Sequence, residues 1–142
     1  MDIDEIKSRD PLILDLSTKI TSLLESKDFR VAVKFGNHPN GAPTEICGYI
    51  PDIFAIKYVN RTTYRFLIDF ESHTTLATEP NLERWRRFSN LTNIDIGTKT
   101  KFLIIIPDTC EAYMHDRILG FNLDLEILTD NQFKKKLEDL EI

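Results

Sequence analysis

The segment Lys101-Phe102-Leu103-Ile104-Ile105-Ile106-Pro107 constrains this chain more than any other. A nearly continuous apolar run of strand length marks a strand buried on both faces, the kind commonly paired in parallel within a sheet. The strand at Lys101–Pro107 is therefore expected to be central, with helices covering it. A chain of 142 residues is the usual size of one domain, so a single domain over 1–142 is expected.

The rest of the chain supplies the partners of that strand. Asp10-Pro11 reads as a helix start, because Asp caps free amides and Pro fits the first turn. Leu12, Ile13, Leu16, Ile20, Leu23 and Leu24 then recur at helical spacing. Phe29–Phe35 alternates as a half-buried strand, and turn formers crowd 36–43. Ile46–Val59 and Tyr64–Glu71 are rich in β-branched and aromatic residues and read as a hairpin around Asn60–Thr63. From Pro80 to Leu91, apolar Leu82, Trp85, Phe88 and Leu91 fall at every third position, which predicts an amphipathic, basic helix. A short helix at Glu111–Leu119, an edge strand at Leu125–Leu128 and a C-terminal helix from Asn131 complete the reading. The fold class is α/β: an αβββαβ core with a mixed central sheet flanked by helices, and a small C-terminal α-β-α extension.

Charge and motif content narrow the function. Lys plus Arg total 18 against 23 Asp plus Glu, a net charge of −5, which argues against coating nucleic acid through bulk charge but not against a local basic patch. Cys47 and Cys110 form no CxxC pair, and His38, His73 and His115 have no metal-type spacing. No P-loop or GxGxxG stretch is present. No apolar run approaches the roughly 18 residues of a membrane span, and MDIDEIKSRD lacks the order of a signal peptide, so a soluble cytoplasmic protein is expected.

Chemistry concentrates in Gly48-Tyr49-Ile50-Pro51-Asp52 and Phe66-Leu67-Ile68-Asp69-Phe70-Glu71. Side chains alternate along a strand, so Asp69 and Glu71 share a face at roughly 6–7 Å between Cα atoms. Sixteen residues separate Asp52 from Asp69, and hairpin pairing places Asp52 beside both. Neighbouring carboxylates repel unless a cation or a shared proton intervenes, and hard oxygen ligands favour magnesium or manganese. On that reading, removing one acid should leave the fold intact or even raise its stability. The plain alternative makes Asp69 and Glu71 the solvent face of an amphipathic strand, although strands disfavour Asp.

Pro51-Asp52, followed by Asp69-Phe70-Glu71 after apolar Phe66-Leu67-Ile68, resembles the PD-(D/E)XK nuclease superfamily, with Glu71 where the motif carries lysine. The resemblance covers roughly residues 10–107 and implies a restriction-endonuclease-like fold. It further implies a metal-dependent nucleic-acid phosphodiesterase in which Asp52, Asp69 and Glu71 hold Mg²⁺ or Mn²⁺ and Glu71 binds metal or acts as a general base. DNA as substrate and a homodimer follow from the same resemblance. Glu71 in place of lysine also leaves open an inactive relative that serves as a nucleic-acid-binding or protein-interaction module.

Around that motif, Arg84, Arg86 and Arg87 are candidate phosphate contacts or the solvated face of their helix. His73 continues the parity of Asp69 and Glu71 as a possible accessory group or a satisfied strand-end histidine. Trp85, sharing a stripe with Leu82 and Phe88, reads as core. Lys57 has parity opposite to Asp52, and the places of Lys34 and Lys101 are open.

Overall fold

The structure, a computed structural model, describes residues 2–75, 80–93, 97–110, 116, 126–140 and 142. Two helices lead the chain. Helix α1 (Ile3–Ser8) opens at Asp2, whose carboxylate accepts from the Glu5 amide at 2.9 Å. Helix α2 (Pro11–Ser26) opens at Asp10, which accepts from the Leu12 amide at 2.9 Å, with Pro11 in the first turn as the sequence predicts. The meander follows as β1 (Arg30–Val33), β2 (Ile53–Val59) and β3 (Thr62–Phe70). Helix α3 (Pro80–Ser89) and a 3-10 turn (Asn90–Asn93) then lead to β4 (Thr98–Ile106). Strand β5 (Glu126–Thr129) runs into helix α4 (Asp130–Asp139), whose start carries a reciprocal cap between Thr129 and Gln132.

The sheet order is β1-β2-β3-β4-β5. Strands β1, β2 and β3 are successively antiparallel, whereas β4 lies parallel to both β3 and β5. The apolar run of β4 is thus interior and parallel-paired, with Phe102 through Ile106 all buried. Odd and even residues of β3 supply opposite cores. Phe66, Ile68 and Phe70 pack with Val31, Ile53 and Ile105 under Ile13, Leu16, Ile20 and Leu24 of α2 and Phe133 of α4. Leu67 packs with Phe102, Ile104 and Ile106 under Trp85 and Phe88 of α3. The result is a five-stranded mixed sheet with helices on both faces, and Trp85 is core. Among the described residues, no helix is long and apolar enough to cross a membrane.

The structure departs from the sequence reading around the β2–β3 hairpin. The second strand begins at Ile53 rather than Ile46, because Cys47 and Gly48 take positive φ (54° and 89°) and close a separate turn between Ile46 and Tyr49. The polar linker Asn60–Thr63 shrinks to a two-residue turn, since Thr62 already pairs with Val59. The expected helix at Glu111–Leu119 lies outside the described residues apart from 116. Helix α1 was not foreseen; its Asp2 cap and acidic first turn are the local signal for it.

In the hairpin turn, Asn60 and Arg61 have φ of 50° and 68°, a mirror-image turn that suits the sheet twist but strains a residue with a Cβ. Arg61→Gly is therefore expected to stabilise the protein by about 0.5–1 kcal/mol, after the greater flexibility of unfolded glycine is deducted. Urea unfolding measures it; a loss of stability would show that the Arg61 side chain contributes more than the strain removes.

Candidate active site

The odd-numbered face of β3 that carries Leu67 continues into Asp69 and, one step past the strand, Glu71, which its amide ties to the Ile105 carbonyl at 3.2 Å. Asp52 lies one residue beyond the Ile53–Ile68 pair, and its amide donates to Asp69 Oδ1 at 3.2 Å. The hairpin thus sets Asp52 against Asp69 as expected. Asp52, Asp69 and Glu71 are all fully buried, which removes the solvent-face alternative for Asp69 and Glu71.

What surrounds the acids was not foreseen. Lys7, fully buried, puts Nζ 2.8 Å from Asp52 Oδ2 and 3.4 Å from Glu71 Oε1. Its delivery is structural: Ser72 and Thr74 hydroxyls donate to Asp10 Oδ2, so the start of α2 is tied to the segment leaving Glu71 and α1 is folded over the acids. Arg84 of α3 donates from Nε to Asp69 Oδ2 at 2.7 Å and from Nη2 to Asp69 Oδ1 at 2.6 Å and Asp52 Oδ1 at 3.2 Å. Thr75 Oγ1 donates to Glu71 Oε2 at 2.5 Å, and the Phe70 amide donates to Asp52 Oδ2 at 2.9 Å. Lys34 stands at the rim, 3.6 Å from Asp52 Oδ1, and also binds Asp4 and the Ile50 carbonyl.

Arg84 therefore departs from the expected solvent-facing basic surface. It is only 6% exposed, and its guanidinium lies 5.7 Å from the Phe88 ring centroid. On a helical wheel of 100° per residue, Arg84 falls about 70° from the middle of the Leu82, Trp85, Phe88 and Leu91 stripe, whereas Arg86 and Arg87 fall about 130° from it, a signal that separates Arg84 from its neighbours. Arg86 and Arg87 are exposed and pair with Glu83 at 2.9 and 3.0 Å. His73 is exposed in the turn at 73–75. Lys57 donates to the Lys27 carbonyl, in accord with its opposite parity, and Lys101 is exposed.

The electrostatics follow from counting charges. Lys7, Arg84 and the rim Lys34 face the three carboxylates, and distance decides how they are shared. Asp52 is nearest Lys7, and Asp69 has the two-pronged Arg84 contact. Burial opposes ionisation of Asp52, yet Lys7, Arg84 and Lys34 outweigh it and hold its carboxyl below the ordinary range. Glu71 shares Lys7 with Asp52, at the longer distance of 3.4 Å. Burial pushes it up to about 7, the charges of Asp69 and Asp52 act the same way, and Lys7 with the Thr75 hydroxyl only partly oppose them. Lys7 and Arg84 stay protonated: burial works against their charge, but the carboxylates outweigh it and raise both.

Hard carboxylate donors suit a divalent ion in chemistry, but in this conformation such an ion would have to displace a protein donor to reach them. Each oxygen of Asp52, Asp69 and Glu71 already faces a protein donor. Among the described residues, no group of three His, Cys, Asp or Glu is arranged to hold a metal. The mutual repulsion read from the sequence is answered from within the chain. No family model, curated protein or solved structure matches this chain.

Proposed function

We propose that the protein is a metal-dependent nucleic-acid phosphodiesterase of the PD-(D/E)XK type, acting on DNA. The observation that carries this reading is the gathering of Asp52, Asp69, Glu71 and Lys7, all fully buried, at the carboxyl end of β3. Ion pairs of this kind are costly to desolvate and are weak devices for stability, whereas a titratable group moved toward neutrality beside fixed charges is typical of catalytic sites. The succession α2-β1-β2-β3-α3-β4, with Pro51-Asp52 entering β2 and Asp69-Phe70-Glu71 leaving β3, agrees with the αβββαβ order of that superfamily.

In this reading Glu71, whose carboxyl is raised to about 7, acts as the carboxylate and takes the proton of an attacking water, and Lys7 supplies the positive charge that the motif lysine would otherwise bring. Lys7 remains a cation throughout and so orients and neutralises rather than donating a proton. A bound Mg²⁺ or Mn²⁺ would supply charge neutralisation at the phosphodiester and the leaving oxygen. Exposed Arg86 and Arg87 are the phosphate contacts proposed for α3, and a homodimer is part of the same proposal.

Duplex, junction and single-stranded DNA, with RNA alongside, incubated with Mg²⁺ or Mn²⁺, test it. Cleavage is expected, and Glu71→Gln should slow it by about 10²–10⁴-fold while binding persists. No cleavage of any substrate with either ion overturns the enzyme reading. The internal neutralisation of the acids favours a second reading, an inactive module that binds nucleic acid or protein. That reading requires affinity for the partner to be the same with and without divalent ions.

A further inference from the structure

The mismatch between the donor chemistry of this cluster and its closed geometry points to a role for Arg84. Nη2 lies between Asp69 Oδ1 and Asp52 Oδ1, at 2.6 and 3.2 Å, the bridging place that a cation shared by these two carboxylates would take. Nε closes the second prong on Asp69 Oδ2 at 2.7 Å. We propose that Arg84 is an internal counter-ion standing in the place of the divalent cation, so that Arg84 pairing and cation binding at Asp52 and Asp69 exclude each other. The inference rests on the cation-site reading of the acids given above, but not on phosphodiester cleavage.

Two physical considerations support exclusion rather than coexistence. A guanidinium and a divalent ion on the same carboxylate oxygens would set positive charges within about 4 Å, a repulsion of several kcal/mol per unit charge at an effective dielectric near 20. The second is the provenance of the two cations. Lys7 contacts Asp52 Oδ2 and Glu71 Oε1, different oxygens from the Oδ1 pair that Arg84 Nη2 holds, so it can stay when Arg84 leaves. Arg84 belongs to α3, with its guanidinium 5.7 Å from the Phe88 ring centroid, and Arg86 and Arg87 on the same helix are exposed. A long side chain at the border of a buried stripe can turn to water without unpacking Trp85 or Phe88.

The test compares wild type, Arg84→Gln and Arg84→Lys by Mn²⁺ calorimetry and by thermal melting with and without Mn²⁺. Arg84→Gln is expected to bind Mn²⁺ about 10- to 1000-fold more tightly than wild type and to recover with Mn²⁺ the melting temperature it loses without it. Arg84→Lys, which keeps the charge, should stay near wild type. Equal affinity of Arg84→Gln and wild type overturns the proposal. Should Arg84→Gln fail to fold, the Arg84 Nε–H resonance of the wild-type protein serves instead. Saturating Mg²⁺ should move it from a hydrogen-bonded to a solvated position, and an unmoved resonance is equally fatal. Tighter Mn²⁺ binding by Arg84→Gln without cleavage of any nucleic acid would uphold this inference while removing the enzyme reading.

Discussion

Asp69→Asn is expected to lower the unfolding free energy by about 3–5 kcal/mol, the usual cost of removing one partner from a buried ion pair. The Asn side chain keeps the volume of Asp69 but not its charge. Arg84, 6% exposed, then keeps a neutral oxygen at position 69, and among the described residues its nearest carboxylate is Asp52, at the longer 3.2 Å contact to Oδ1. The loss is a large part of the 5–15 kcal/mol that typically holds a domain together. It also runs opposite to the expectation from sequence, in which removing an acid relieved repulsion. Arg84→Met combined with Asp69→Asn should recover much of the loss, because removing both charges leaves no orphan. Urea unfolding of the four proteins in a double-mutant cycle measures the coupling. A cost below about 1 kcal/mol for Asp69→Asn would mean that Arg84 finds another partner and the pair is not structural.

The second large effect is on pH. In divalent-free buffer, stability is expected to fall as pH rises from about 4.5 to about 7. The sign follows from proton counts. Glu71 ionises near 4.5 when unfolded but near 7 when folded, so between those values the folded state holds more protons and raising the pH favours unfolding. The full difference is about 3 kcal/mol, from about 1.4 kcal/mol per pKa unit for a fully buried group. Asp52 acts in a different window: its carboxyl is depressed when folded, so its contribution is complete above about 3.8 and is lost only below that. Among the described residues, Lys7, Asp52, Asp69 and the Thr75 hydroxyl face Glu71, and Lys7 stays charged across the range. Glu71→Gln mimics the protonated acid and should flatten the slope while raising stability at pH 8 by a similar amount. A Glu71→Gln protein that keeps the wild-type slope would assign the dependence to another group.

Much of this protein is settled by local pattern. Alternation along β3 sends Asp69 and Glu71 to one face whatever packs there, and the short turn after Val59 brings Asp52 beside Asp69 through a hairpin register. The apolar run of β4 demanded parallel neighbours and two covering layers, and the Asp10-Pro11 start with its stripe of Ile13, Leu16, Ile20 and Leu24 provided one of them. These features depend on periods of 2 and 3.6 residues, which are written in neighbouring positions.

The charge balance of the site is different in kind. Lys7 and Asp52 are 45 positions apart, and Lys7 sits on a six-residue helix whose two apolar residues, Ile3 and Ile6, are too few to announce its burial. Nothing local distinguishes it from the solvated lysines that are the rule. Arg84 reaches Asp69 across 15 positions only because α3 lies over the face on which the acids emerge. The identity of the acids was therefore readable from the sequence, because strand parity is local. Their state, a buried and internally neutralised cluster in which Glu71 has the raised carboxyl, was decided by tertiary structure, because electrostatic pairing depends on which helices the fold carries back across the sheet.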